Sequence, residues 1–91
     1  MMAAARFIVR GKVQGVYYRA STRDHAIALG VMGSARNLDD GSVEVVAIGT
    51  GNAISELERW LWQGPPSASV AEVCREELAA APNGVRDFVT G

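Results

Sequence analysis

Val43-Glu-Val-Val-Ala-Ile48 is apolar at every position but one. A short run of this kind reads as a strand covered on both faces or lying centrally in a sheet. The chain has 91 residues, so the partners of that strand must lie close by in sequence. Upstream, Gly33 to Leu38 reads as a strand, and Asp39-Asp40-Gly41 between the two is a hairpin turn signal. A further strand is expected over residues 5–13, where Ala5, Phe7, Val9, Gly11 and Val13 alternate with Arg6, Ile8, Arg10 and Lys12.

Two segments change to helical period. Tyr18, Thr22, Ala26 and Leu29 recur on one face, and Gly30 supplies a left-handed stop. Ile54, Leu57 and Leu61 form a second stripe, with Asn52 as the expected N-cap and Gly64-Pro65-Pro66 as the end. Downstream, Ser69-Val-Ala-Glu72 has the form of a capping box, and glutamates, Leu78 and three alanines follow it, so propensity favours helix there. Val85 to Val89 is a candidate short edge strand. With a fourth strand in place of that third helix, the order is βαββαβ, an α+β ferredoxin-like sandwich. Two helices would cover one face of a mostly antiparallel sheet. The length suits a single domain over residues 1–91.

Charge is unevenly distributed although the net value is −1. Residues 1–36 carry +5 and residues 37–91 carry −6. A basic segment in a mildly acidic chain suits a small anionic ligand and argues against a general nucleic-acid surface. The single cysteine, Cys74, excludes an internal disulfide and a CxxC site. Arg6 and Arg10 interrupt the N-terminal apolar run, which therefore does not read as a signal peptide, and no run has the length of a membrane span. A cytoplasmic protein with no membrane partner is expected.

The first strand leads to the first helix through Gly11-Lys-Val-Gln-Gly-Val-Tyr-Tyr-Arg19. A strand-to-helix loop gathers unpaired backbone N–H groups, glycines let them point inward, and the helix dipole adds positive character. Arg19 on the first helical turn could close such a nest on a phosphoryl group with its planar fork. Spacing alone also fits a plain structural turn, and it matches neither Walker A nor GxGxxG.

The whole string resembles the acylphosphatase signature Gly-x-Val-Gln-Gly-Val-x-x-Arg. Gly33-Ser-Ala-Arg-Asn-Leu-Asp-Asp-Gly-Ser-Val-Glu44 is similar to the second signature of that family, and Gly64-Pro65-Pro66 to a third feature. Ser34 and Ala35 depart from it, standing where tryptophan and valine are usual. The resemblance runs from Phe7 to about Val73 and implies the ferredoxin-like fold, with a strand after Pro66. It implies hydrolysis of the carboxyl–phosphate bond of acyl phosphates by in-line attack of water, without metal or other cofactor. Arg19 would hold the phosphoryl oxygens, and Asn37 would orient the water. The backbone amides of Gly11, Lys12, Val13, Gln14, Gly15, Val16 and Tyr17 would cradle the phosphate, and inorganic phosphate would be product or inhibitor. A monomer is expected.

Arg36 is expected on the sheet face opposite Asn37, outside the site. His25, far from any second ligand, and Cys74 are expected to be structural. Trp60 and Trp62, two apart on one helix, cannot both face the core. The alternatives are a phosphate or acyl-phosphate binding module without turnover, as in the larger hydrogenase-maturation proteins that carry this fold, and an RNA-binding domain of the same topology. The second needs aromatic residues on the central strands, and Val43 to Ile48 has none.

Overall fold

A strand apolar on both faces gains most at the centre of a sheet, and in the computed structural model, which describes residues 2–82 and 84–91, that is where it lies. Strand β1 (Met2–Lys12) is followed by helix α1 (Tyr18–Leu29), strands β2 (Met32–Asn37) and β3 (Val43–Thr50), helix α2 (Gly51–Gln63), strand β4 (Ser69–Glu77) and the short strand β5 (Phe88–Thr90). The sheet order is β4-β1-β3-β2-β5. Strand β3 runs antiparallel to β1, pairing Val45 with Phe7, and to β2, pairing Val45 with Ala35. Strand β5 joins β2 in parallel, pairing Val89 with Ser34. This is the ferredoxin-like βαββαβ sandwich, with a fifth short strand at the edge.

Both helices pack on one face. Phe7, Val9, Ala35, Val43, Val45 and Ala47 of the sheet meet Tyr18 and Ala26 of α1 and Ile54, Leu57 and Leu61 of α2 in one core. Tyr18 is fully buried and donates its hydroxyl to the Leu61 carbonyl at 2.5 Å, tying the start of α1 to the end of α2. Burial alone pushes its phenol above the ordinary value, so it remains a hydrogen-bond donor. His25 stacks on Trp60 at 4.2 Å, with its Nδ1 3.1 Å from the Ser21 carbonyl, while Trp62 is half exposed. Gly30 ends α1 at φ 73°, its N–H reaching the carbonyls of Ala26 and Ile27.

Three local expectations give way to tertiary structure. Residues 69–77 form an edge strand, not a helix. Pairing with β1 across Arg10–Glu72 and Arg6–Glu76 outweighs local helical propensity. Helix α2 begins earlier than expected: Thr50, the last residue of β3, is the N-cap, and its Oγ1 accepts from Ala53 N–H at 3.2 Å, while Asn52 lies within the first turn. Strand β5 is also later and shorter than the 85–89 segment. Gly33 N–H to the Asp87 carbonyl and Gly91 N–H to the Ala35 carbonyl fix its register.

The opposite face carries charge. Glu44, almost buried, accepts from Arg6 Nε at 2.6 Å and Arg36 Nε at 2.7 Å. Arg36 thus points away from the helices, as alternation from Ala35 requires. Burial alone would raise the Glu44 carboxyl, but hydrogen bonds from the two arginines outweigh it and hold the group below its ordinary 4.5. As pH falls, the unfolded chain takes up this proton first. The stabilisation is therefore complete above about pH 4.5 and is lost as pH drops through the lower folded value. Glu44→Gln is expected to cost about 1–2 kcal/mol at pH 7. The gap to the parent should narrow as pH falls through the lowered folded value, where the parent carboxyl is itself protonated. Urea unfolding at pH 7 and over a descending pH series measures both.

Candidate active site

The end of β1 is shaped by Gly11. Its φ of 125° and the register shift between Arg10 and Gly11 bring β4 so close that a Cβ would run into the Ser69 carbonyl and sit 2.7 Å from Ala71 N. The chain then leaves the sheet. Val13 and Val16 turn their side chains into the core, and Ser67 Oγ donates to the Val16 carbonyl at 3.1 Å. Gly15 at φ 73° and Tyr17 at φ 62°, ψ 18° are both left-handed, and Tyr17 is the N-cap residue of α1 without a side-chain cap. With side chains and carbonyls thus anchored, the backbone N–H groups of Gln14 to Tyr17 find no acceptor among the described residues. They adjoin the free amides of the first turn of α1. Such a set of donors at a helix N-terminus is chemically suited to an anion.

Arg19 is the second residue of α1. It lines a depression of about 370 Å³ together with Val13, Gly15, Tyr17, Tyr18, Ala20 and Thr90. Its Nη1 donates to the Gly91 carbonyl at 3.3 Å, which leaves most of its five donors for another acceptor. Lys12 is exposed at the strand end.

Asn37 is the last residue of β2, exposed and paired in register with Val43. Alternation from buried Ala35 puts it on the helix side of the sheet. It does not line the depression. The link between it and the loop is Gln14, whose Nε2 donates to the carbonyls of Leu38 and Ser42, both at 2.9 Å. Leu38 N–H also donates to the Ser42 carbonyl, at 2.9 Å. Gln14 therefore clamps the loop to the mouth of the β2–β3 hairpin, one residue beyond Asn37. The hairpin has its own brace: Asp40 accepts from the Ser42 hydroxyl and from Ser42 N–H, and these two bonds, the hydroxyl first, hold its carboxyl below the ordinary range.

Sequence reasoning counted only the backbone of Gln14; the two hydrogen bonds its side chain donates, and Thr90 and the Gly91 carbonyl beside Arg19, were not legible. For Gln14 the glutamine within the signature was the available signal. Gln14→Ala removes both clamp bonds. A stability loss of about 1–2 kcal/mol is expected, with kcat/KM for an acyl phosphate lowered about ten- to a hundredfold through misplacement. Thermal melts and steady-state kinetics on one sample read the two effects.

The profile of the family described as Acylphosphatase matches residues 5–90. An acylphosphatase of Xanthomonas euvesicatoria pv. vesicatoria is 62% identical over 90 residues, covering 99% of this chain and the whole of that protein. Among solved structures, an acylphosphatase from Coxiella burnetii superposes with a TM-score of 0.91 at 40% identity, covering 99% of this chain and 93% of that one. Acylphosphatase from Bacillus subtilis superposes with a TM-score of 0.93 at 31% identity, covering 100% and 99%. Likeness of this extent reaches from one end of the fold to the other and takes in loop, helix and hairpin alike, so the chain belongs to the acylphosphatase family and hydrolyses acyl phosphates.

Proposed function

We propose that this hydrolysis is an in-line displacement carried by Arg19, the amides of the loop over residues 11–17 and Asn37, without a metal ion. The observation behind this reading is that Arg19 lines one depression with Gly15 and Tyr17, two of the loop residues whose N–H groups lack an acceptor among the described residues. The phosphoryl oxygens lie against the loop amides and the Arg19 fork. A water oriented by the Asn37 side-chain amide forms the new P–O bond. The bond between phosphorus and the acyl oxygen breaks, the carboxylate departs with its electron pair, and a phosphoryl oxygen takes the proton of the water. The carboxylate needs no proton to leave, and the loose transition state places charge on equatorial oxygens, so fixed positive donors suffice.

The chain works as one domain, a cytoplasmic monomer, with inorganic phosphate as product and inhibitor. Arg75, Glu76 and Glu77 on the exposed edge strand β4 disfavour edge-to-edge pairing. On the open sheet face, arginines are paired with Glu44, Glu72 and Glu76, which disfavours a nucleic-acid partner.

Hydrolysis of benzoyl phosphate is followed in excess EDTA, with Arg19→Ala alongside. Turnover that persists in EDTA and collapses in the variant is the expected result. Activity that disappears on chelation and returns with added divalent cation refutes the metal-free route. A folded protein that binds phosphate but turns nothing over refutes the enzyme in favour of a binding module.

A further inference from the structure

Tyr17 is the sole non-glycine residue with positive φ among the described residues. An aromatic side chain is poorly suited to left-handed backbone, where glycine, asparagine and aspartate are tolerated best. Neither burial nor a side-chain bond compensates. The residue is 82% exposed and its side chain makes no capping hydrogen bond, while its carbonyl accepts from Ser21 N–H at 3.0 Å. Strain held without return from the side chain points to a role for the group that is held. What the conformation achieves is placement: Tyr17 lines the depression that Arg19 and Thr90 also line and keeps its side chain exposed.

The reaction geometry gives that placement a use. In an in-line displacement the nucleophile and the leaving group occupy opposite sides of phosphorus. Asn37, which orients the water, lies outside the depression, whereas Tyr17 lies on it. An acyl group that leaves opposite the water has Tyr17 as its exposed aromatic neighbour on the depression. Of the residues lining the depression, Tyr17 offers a large exposed aromatic face, while Tyr18 is buried. We infer that the Tyr17 ring is the acyl-group contact and biases the enzyme towards planar, aromatic acyl phosphates over small aliphatic ones. This rests on the catalytic assignment proposed above.

The test is a ratio. kcat/KM is measured for benzoyl phosphate and for acetyl phosphate with the parent protein, Tyr17→Phe and Tyr17→Asn. Asparagine keeps a residue that accepts the left-handed backbone, so the loop can retain its course. The benzoyl-to-acetyl ratio is expected to fall about three- to tenfold in Tyr17→Asn, the size of one lost aromatic contact, and to be kept in Tyr17→Phe. A ring needed only to shape the loop would move both substrates together. An unchanged ratio in Tyr17→Asn therefore overturns the inference while leaving the catalytic assignment intact. A ratio that falls equally in Tyr17→Phe overturns the ring-face contact and points to the hydroxyl. Absence of turnover with both substrates in the parent overturns the catalytic reading itself, and this inference with it.

Discussion

Replacing Arg19 with alanine is expected to lower kcat for an acyl phosphate by ~10³–10⁵, the range found for arginines that stabilise phosphoryl-transfer transition states. The stability of the fold should hardly change. Arg19 is half-buried on α1, and the one side-chain hydrogen bond it makes among the described residues is a 3.3 Å contact to the Gly91 carbonyl. A surface substitution of this kind usually stays within about 0.5 kcal/mol. The large kinetic effect follows from what remains. The loop amides carry only partial charges, and nothing else lining the depression is cationic. Arg19→Lys restores charge but not the two-pronged geometry, so it should recover only a small part of the loss. Single-turnover kinetics and thermal melts of the three proteins check this. An alanine variant within tenfold of the parent, or one that has lost its fold, refutes the assignment.

Asn37→Ala is expected to lower kcat by ~10²–10³, comparable to the loss of one oriented hydrogen-bond donor at a developing charge. KM and inhibition by inorganic phosphate should change little, because Asn37 lies outside the depression proposed to receive the phosphoryl group. Asn37 is exposed at a strand end and contributes little to packing, so the melting temperature should hold. Asn37→Asp preserves size but removes the amide donors and places a negative charge near the phosphate seat. It should be no better than alanine, with KM raised as well. Steady-state kinetics with phosphate inhibition separate these outcomes. A rise in KM without loss of kcat in Asn37→Ala would mean that the residue binds substrate and does not orient water.

Much of the fold was legible because its determinants are local. The α1 stripe of Tyr18, Thr22 and Ala26 is buried as its spacing requires, and so is the α2 stripe of Ile54, Leu57 and Leu61. Gly30 ends α1 in the left-handed conformation that glycine adopts at little cost. Residues 69–77 were misread by propensity for the opposite reason. Glutamate and alanine favour helix in isolation, but here every residue except Ala71 faces a partner on β1 that is 57–72 positions away, and local composition does not register such pairing. The family signatures supplied that strand where periodicity did not. The start of α2 at Thr50 has a similar origin: β3 extends to its pairing with Met2, so the helix follows without a linking loop and takes its cap from the strand.

At the site, the sequence by itself supplied a glycine loop with an arginine on the first helical turn, and the resemblance of two signatures to the acylphosphatase family, not spacing, singled out Arg19 and Asn37. Only the tertiary structure decided how the loop meets the hairpin. The Gln14 bonds to Leu38 and Ser42 join the loop to the hairpin, and Thr90 lines the depression beside Arg19. These contacts join segments distant along the chain, and packing brings them together. No local period records them, so they become visible only once the sheet has set β1, β2 and β5 in register.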